Sequence, residues 1–385
     1  MPKRKGFLYE RMLDRSFIRD AILRAAKHKT KRRSVRRVLN NLDGYVEKTY
    51  ALLAGNLYRP SRPREREIYD ESSQKRRVIQ VVPFWPDGVM HWMLVLAVQD
   101  VLMRGMYHWS CASIPGRGGR RAHGRIQRAM RRDAAGTRYG AELDVKQYYP
   151  SISIRRLMRA LRRKIKDERF LRLVEMVLRS CGKGLAIGFY ICQWLANFFL
   201  EPLDRFICTL AGVKYFVRYM DNITLLGPNK KQLHNAVREI GKFLRRALGL
   251  TLKENWQVYR TQFTKAVAER HARLDARRQR LRRPRMVAAV GYRYSHSHTL
   301  LRKRNLLRLI RQCRRVHRRQ AAGRPIPFRS AAGLLSRIGQ LRHCDSCHIR
   351  ARYVDPIGIR KLKEVVRHES ERRRQSRNAA GGAAA

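Results

Sequence analysis

Acidic residues are scarce in this chain of 385 residues. It contains 29 aspartates and glutamates against 87 lysines and arginines, which gives a formal net charge of +58. A chain with so much charge of one sign repels itself unless it meets a polyanion. We therefore expect a nucleic acid as partner, ahead of an anionic membrane surface. Hydrophobic residues still make up 44% of the sequence, so the excess of charge does not exclude a folded core.

Cysteines and long apolar runs are also few. The seven cysteines, an odd number, are scattered along the chain, which argues against a secreted disulfide framework and predicts reduced thiols. The most apolar stretches, Val89–Met103 and Gly184–Leu200, contain polar residues and are shorter than the ~20 residues that a membrane-spanning helix needs. The N-terminal residues are charged and lack the apolar region of a signal peptide. We expect a soluble, cytoplasmic protein with no membrane partner.

The spacing of apolar residues divides the chain into segments of two kinds. Helical spacing predicts helices within residues 1–54 and at 87–103, 122–132, 154–161, 184–200, 231–248 and 300–368. Short apolar runs predict strands at 67–69, 77–82, 140–145, 215–219, 223–226, 250–259 and 291–294. The alternation indicates an α+β fold in which an antiparallel sheet packs on helices.

Two aspartates follow apolar strands in the most regular part of the sequence. Asp144 ends the strand predicted at 140–145, and Asp221 lies in the tight turn between the strands at 215–219 and 223–226. Phosphoryl transfer to a polymer end uses two divalent ions roughly 3.5–4 Å apart, held by carboxylates from neighbouring strands. Mg²⁺ keeps several waters, so two or three acidic ligands suffice. Either aspartate alone reads as a turn or cap residue, whereas the pair in this context predicts a nucleotidyl-transfer site.

Several motifs, in the right order, resemble those of bacterial and phage reverse transcriptases, most closely the group found in diversity-generating retroelements. The likeness covers about residues 55–305, with a thumb-like region beyond. It is carried by Asp144–Ile152, Gly184–Gln193, Tyr219–Asn222, Leu252–Asn255 and Gly291-Tyr292, together with Lys75 and Arg77. No single motif is decisive, but six in order form a specific signal.

The resemblance implies a role for each matching position. Asp144 and Asp221, with the backbone of Val145, would hold two Mg²⁺ ions, with Mn²⁺ as a substitute, and Asn222 would be a weak catalytic auxiliary. Contacts to the incoming nucleotide would come from Lys75, Arg77, Tyr149, Ile187, Gly188, Gln193 and Lys253, and Tyr149 would exclude ribonucleotides. Contacts to primer and template would come from Arg117, Gly118, Gly291 and Tyr292. The loop that carries Arg117 and Gly118 also reads as an ordinary exposed turn.

The resemblance further implies a right-hand polymerase. We expect a basic helical N-terminal segment at 1–54, fingers at 55–135, a palm at 136–298 with an arginine-rich insertion near 262–285, a helical thumb at 299–370 and a disordered tail at 371–385. Such an enzyme makes cDNA on a structured RNA template from a primer and deoxynucleoside triphosphates (dNTPs), in a diversity-generating retroelement and with a small basic accessory protein. Two alternatives stay open: a phage-defence or retron-like reverse transcriptase, and a degenerate RNA-binding relative without catalysis.

Four positions depart from the family pattern. Asn222 stands where the family has a second aspartate, so the site loses one negative charge beside two dications, although the amide still offers a carbonyl oxygen. Ala186, Cys192 and Gly88 replace a proline, a serine and an arginine that relatives carry. We expect an active but weakened polymerase that prefers Mn²⁺.

Cys344 and Cys347 lie in the run His343–His348, whose spacing is similar to that of zinc ligands. Four ligands within six residues cannot easily surround one tetrahedral ion, and no second pair follows. The run therefore predicts a turn between thumb helices rather than a zinc site.

Overall fold

The computed structural model describes residues 4–70, 75–262, 272 and 283–382. Its α-helices are α1 (Leu8–Met12), α2 (Arg15–Ala26), α3 (Arg33–Asn40), α4 (Leu42–Ala54), α5 (Val89–Met103), α6 (Gly119–Arg132), α7 (Tyr148–Ser151), α8 (Ile154–Arg162), α9 (Glu168–Arg179), α10 (Tyr190–Phe199), α11 (Glu201–Thr209), α12 (Lys230–Phe243), α13 (Lys303–Ala321), α14 (Phe328–Gln340), α15 (Cys347–Ile349) and α16 (Ile359–Gly382). Within the described ranges, none of these helices is both long and apolar enough to cross a bilayer.

The strands form three sheets in the described residues. They are β1 (Arg64–Asp70), β2 (Lys75–Val81), β3 (Tyr139–Asp144), β4 (Tyr215–Tyr219), β5 (Asn222–Gly227), β6 (Val258–Arg260), β7 (Val287–Ala289), β8 (Tyr292–Tyr294) and β9 (Thr299–Leu301). β1 and β2 form an antiparallel hairpin, a four-stranded sheet has the order β4-β5-β3-β6, and β7, β8 and β9 form an antiparallel sheet. This mixture of helices and sheets confirms the predicted α+β class.

The chain divides into two compact units. The first consists of residues 1–122 and 141–258, and the second of residues 123–140 and 259–385. In the first unit α5 is apolar on all sides, so it is buried almost completely, and α1, α2 and α10 pack against it. In the second unit α14 packs against α13 and α16, and Leu309, Leu334 and Leu362 are fully buried.

The two units do not follow the region boundaries that the sequence predicts. The N-terminal helices α1 and α2 belong to the core of the first unit, and α6 is divided between the units at residue 122. The last helix, α16, continues to Gly382, so residues 371–382 are helical where a disordered tail was predicted. The arginine-rich stretch at 262–285 lies largely outside the described residues. The fingers, palm and thumb stay predictions.

Two predicted elements differ from the structure near the aspartates. The helix predicted at 184–200 begins only at Tyr190, because Gly184 and Gly188 have φ values of 72° and 119° that a right-handed helix excludes. The strand predicted at 250–259 is reduced to Val258–Arg260, and Leu252 forms an isolated bridge with Val145.

Candidate active site

Asp221 lies in the two-residue turn of the hairpin formed by β4 and β5. Tyr219 pairs with Asn222 across the hairpin, which leaves Met220 and Asp221 as the turn, and Met220 has a φ of 55°. A positive φ in such a turn matches the twist of the flanking strands. Asn222 is exposed, and its Nδ2 lies 3.4 Å from Oδ1 of Asp221 as a donor. The turn therefore presents a carboxyl and an amide side by side at the end of the hairpin.

Asp144 ends β3 beside the segment that carries Lys253. The Lys253 N–H donates to the Asp144 carbonyl at 2.9 Å, and the Lys146 N–H donates to the Thr251 carbonyl at 2.8 Å. These two bonds hold the segments side by side and place Lys253 Nζ 2.5 Å from Oδ2 of Asp144. Two predicted site residues, distant in sequence, are thus in direct contact.

The carboxyl groups of Asp144 and Asp221 lie close enough to affect each other. Burial raises the pKa of Asp221 above its ordinary value, and the negative charge of Asp144 raises this pKa further. The positive charges of Lys253 and Arg77 act in the opposite direction and lower it. Two carboxyls that repel each other, with two cations nearby, form one electrostatic site.

One oxygen of Asp144 has no hydrogen-bond donor among the described residues. A third of the side chain is exposed, but Oδ1 itself is buried, and no described residue donates a hydrogen bond to it. A buried carboxylate oxygen without a donor is unfavourable unless another group satisfies it. A hard divalent cation is such a group, because Mg²⁺ prefers carboxylate oxygens. The residues present therefore fit a divalent ion between Asp144 and Asp221.

The number of acidic ligands is small. In the described part of the chain no group of three or more His, Cys, Asp or Glu side chains is placed to hold a metal. An ion held by Asp144 and Asp221 alone would have to take most of its ligands from water, substrate and backbone oxygens, and the predicted Val145 ligand stays a prediction. Mg²⁺ binds in this manner in nucleotide-transfer sites.

Two of the predicted nucleotide contacts lie near the same pair. Arg77 extends from β2, and its charge acts on Asp221. Tyr149 lies in α7, where burial raises the pKa of its phenol and the neighbouring Cys192 and Asp221 raise it further. Lys75 begins β2, but its side chain lies outside the described residues.

The loop before α10 packs closely because of its glycines. A Cβ at Gly184 would overlap the carbonyl of Pro150, and a Cβ at Gly188 would overlap the carbonyl of Gln80. The Gln80 N–H donates to the Ile187 carbonyl at 2.8 Å, which fixes the loop on β2. Ile187 and Gly188 are thereby held against the strand that carries Arg77. Gln193 is half-buried in the first turn of α10.

The loop predicted to contact the template is held in place by hydrogen bonds from its own Arg117. The Arg117 guanidinium donates to the carbonyls of Tyr107 at 3.2 Å and Met106 at 3.4 Å, so it holds the loop to the preceding segment. A Cβ at Gly118 would meet no atom within 4 Å. The backbone at Gly118 is therefore open to an approaching strand, and its template contact stays a prediction.

Gly291 and Tyr292 lie in the second unit. Gly291 has a φ of 89° in the turn between β7 and β8, and its carbonyl accepts the Arg302 N–H at 2.9 Å. The Tyr292 hydroxyl donates to the Gln340 carbonyl at 3.1 Å. These bonds fix the turn within its own unit, and the predicted primer contact stays a prediction.

The run His343–His348 connects a single 3₁₀ turn, Leu341–His343, to α15, which already contains Cys347 and His348, so the predicted turn is limited to residues 344–346. The Ser346 hydroxyl donates to the Leu341 carbonyl at 2.9 Å, and the Asp345 carboxylate accepts the Thr299 N–H at 2.7 Å. The two cysteines of this run, like the other five, are free thiols.

A buried ionic network that the sequence analysis did not identify lies beneath the hairpin. Arg218 of β4 is fully buried and forms a forked ion pair with Asp204 of α11, with both N–O distances 2.7 Å. Its Nη1 also donates to Oδ1 of Asn197 and to the carbonyl of Met220. An arginine among the apolar residues of β4 was the available signal, because a buried charge requires a partner.

Comparisons with known proteins show what this chain is similar to. A curated relative, an uncharacterized mitochondrial protein ymf11 of Marchantia polymorpha, is 35% identical over 84 residues, which cover 22% of this chain and 12% of that protein. The solved structures similar to this chain include truncated apo telomerase from Candida tropicalis, at 10% identity and a TM-score of 0.43, covering 62% of this chain and 55% of that chain. Telomerase from Candida albicans, solved with a fragment of telomeric RNA, also has 10% identity and a TM-score of 0.43, covering 71% and 52%.

The chain thus spans about half the length of these telomerase chains and a small part of the mitochondrial protein. The sequence model of the family described as reverse transcriptase (RNA-dependent DNA polymerase) matches residues 71–263, half of the chain, and this range includes both aspartates. The chain therefore belongs to the reverse transcriptase family.

Proposed function

We propose that this chain is an RNA-directed DNA polymerase that extends a primer with dNTPs on an RNA template. The observation that carries the proposal is the meeting of Asp144 and Asp221 in the first unit, with one buried oxygen of Asp144 left for a cation. Family membership supplies the reaction class, and the two carboxyls supply the place where it would occur.

Asp144 and Asp221 would hold the metal ions, with the backbone of Val145 as a further ligand. When bound, two Mg²⁺ ions lower the pKa of the attacking 3′-hydroxyl and stabilise the charge on the transferred phosphoryl group. The protein's own contribution is positioning and electrostatics, because one carboxyl is fixed at the end of β3 and the other in the turn that precedes β5 before substrate arrives.

The triphosphate would lie between Arg77 and Lys253. Both cations act on the carboxyl pair already, so they lie within reach of a triphosphate bound to the same ions. Tyr149 would close the pocket on the sugar side, since its half-buried side chain lies near Asp221 and Cys192. By the resemblance to reverse transcriptases, a ring in this position would exclude a ribose 2′-hydroxyl and favour deoxynucleotides.

The remaining positive charge would serve the nucleic acids. Lysines and arginines that neutralise phosphates release counterions, so affinity for an RNA–DNA duplex should fall steeply as salt rises. The free thiols fit a reducing, cytoplasmic compartment. The motif resemblance supports a structured template RNA, a small basic accessory protein and a role in a diversity-generating retroelement.

A second candidate function is favoured by Asn222. An amide in place of a carboxylate beside Asp221 removes a charge that metal binding uses. A chain that kept the fold and lost the chemistry would bind RNA without polymerising. A phage-defence or retron-like enzyme would instead retain polymerisation, and the neighbouring genes would distinguish it from a diversification enzyme.

Primer extension on an RNA template, with Mg²⁺ and separately with Mn²⁺, tests the proposal. We expect the wild type to incorporate dNTPs, and Asp144→Ala and Asp221→Ala to abolish incorporation. Asp100→Ala, which removes an exposed aspartate of α5 in the same unit, is the matched control and should retain full activity. Equal behaviour of the wild type and both active-site variants would favour the RNA-binding alternative.

A further inference from the structure

Arg218 contacts the turn that carries Asp221. Its Nη1 donates to the Met220 carbonyl at 3.0 Å, so the bond reaches the peptide group that directly precedes Asp221. Met220 has a positive φ, a conformation that a residue other than glycine adopts only when its surroundings impose it. A donor fixed on this carbonyl is such a constraint.

The guanidinium itself is held rigidly. Its fork on Asp204 uses Nε and Nη2, and Asn197 accepts further bonds from Nη1 at 3.1 Å and from Nη2 at 3.2 Å. Both charged side chains have no exposed surface. With the Met220 carbonyl, the planar guanidinium satisfies two carboxylate oxygens and three further acceptors at once, which a lysine ammonium cannot reproduce.

The network ties the hairpin to elements on either side. Asp204 lies on α11 and Asn197 on α10, and the Asn197 amide also donates to the Ala112 carbonyl at 2.7 Å. The Arg218 backbone pairs with the segment that precedes Ala112, through the carbonyl of Trp109 and the N–H of Cys111. The turn is therefore anchored to α10, to α11 and to a neighbouring chain segment.

A buried ion pair of this kind contributes little net stability to the fold. Taking two charges out of water costs about as much as their attraction returns, and apolar replacements of similar volume are often neutral or stabilising. What the arginine adds here is a directed bond toward the site. Mg²⁺ requires near-ideal octahedral geometry, so a small displacement of one ligand weakens its binding.

We propose that Arg218, oriented by Asp204 and Asn197, is a positioning residue that fixes the Met220–Asp221 turn for cation binding. The role in cation binding rests on the proposed function, since it presumes that Asp221 is a metal ligand. Fixing of the turn itself does not depend on catalysis. The two parts can therefore be measured separately.

The test compares two isosteric variants on one helix. Asp204→Asn weakens the fork, whereas Glu201→Gln removes a buried carboxylate of α11 that pairs with Lys164 and forms no bond to the hairpin. Arg218→Lys is the second test variant, because it keeps the buried charge and loses the fork. The readouts are amide hydrogen exchange over residues 215–227 and Mn²⁺ affinity by electron paramagnetic resonance, without nucleic acid.

We expect Asp204→Asn and Arg218→Lys to speed exchange at the hairpin and to weaken Mn²⁺ binding by about tenfold or more, as changes behind a metal ligand commonly do. Glu201→Gln should leave both readouts close to those of the wild type. Unchanged exchange and affinity in the two test variants, or an equal loss in the control, would overturn the proposal.

Two outcomes separate this inference from the proposed function. In the wild type, the hairpin should exchange as slowly as β3, and fast exchange there would overturn the positioning role even if neither variant folds. A wild type that protects the hairpin and binds Mn²⁺, but extends no primer, would overturn the proposed function alone.

Discussion

Lys253 and Asp144 form an ion pair that satisfies only one side of the carboxylate. Nζ lies 2.5 Å from Oδ2, while Oδ1 is buried with no hydrogen-bond donor among the described residues. A carboxylate can accept bonds at both oxygens. The protein therefore orients one carboxylate oxygen through Lys253, and the other is left for a ligand that the described residues do not supply.

The first prediction concerns Lys253. Lys253→Met removes the cation that orients Asp144 and faces the triphosphate, so we expect kcat/KM for dNTPs to fall by about 10–100-fold. Thermal stability should change little, because ion pairs with this exposure contribute about 0–1 kcal/mol. Steady-state primer extension and a melting curve measure the two effects. Lys242→Met, an exposed lysine of α12 paired with Glu239, is the control, and unchanged kinetics in Lys253→Met would contradict the assigned role.

The second prediction concerns the amide beside Asp221. Asn222→Asp restores a negative charge next to the cations, so activity in Mg²⁺ should rise by about tenfold. The ratio of activity in Mn²⁺ to activity in Mg²⁺ should therefore fall. Primer extension across a titration of each metal measures this. Equal or lower activity of the variant in Mg²⁺ would show that Asn222 does not limit the enzyme.

The third prediction concerns pH. Burial and the charge of Asp144 raise the pKa of Asp221, so the ionised form is less favourable in the folded protein than in the unfolded chain. The folded state therefore loses stability as pH rises from the unfolded value of 3.8 through the raised value.

Asp221→Asn removes this penalty. The variant should melt at a higher temperature than the wild type at pH 7, and the difference should disappear below about pH 3.8, where both states of the wild type are protonated. Melting curves between pH 3 and pH 7, without divalent ions, test this. A variant that is less stable than the wild type at pH 7 would contradict the electrostatic account of the site.

The fourth prediction uses two glycines of one loop. Gly182 and Gly184 have φ values of 79° and 72°, but a Cβ at Gly182 meets open space, whereas at Gly184 it overlaps the Pro150 carbonyl. Gly182→Ala should lower the free energy of unfolding by about 1–2 kcal/mol, because alanine is strained in the left-handed conformation but meets no neighbouring atom here. Gly184→Ala should lower the free energy of unfolding by about 1–3 kcal/mol more. Urea denaturation measures the free energy of unfolding of both variants. Equal decreases in the two variants would mean that the close packing at Gly184 does not contribute to stability.

The hairpin at Asp221 was predictable from the sequence. Two apolar runs separated by Met220–Asn222 leave few alternatives to an antiparallel hairpin, and the structure forms it, with Asn222 paired to Tyr219 rather than in the turn. The start of α10 was harder to predict from the sequence. Apolar residues between Gly184 and Phe189 continue the pattern of α10, while the glycines exclude a helical backbone. An apolar run does not distinguish a buried loop from a helix.

Contacts between residues distant in sequence were harder to predict. No local pattern indicates that Lys253 lies against Asp144, and their association was expected only through the resemblance to a family. The partners of Arg218 lie on α10 and α11, and the arginine showed only that some partner had to exist. The division of the chain into two units at residues 122 and 258 likewise depends on packing that periodicity does not encode.

Single-turnover incorporation of one dNTP on an RNA-templated primer tests the central claim most directly, in the wild type, Asp144→Asn, Asp221→Asn and the double variant. If both carboxyls hold the same ions, each single variant should lose nearly all of the rate and the double variant should lose little more, because residues that act as a unit are not additive. Independent losses that multiply in the double variant, or full activity in either single variant, would contradict a shared cation site.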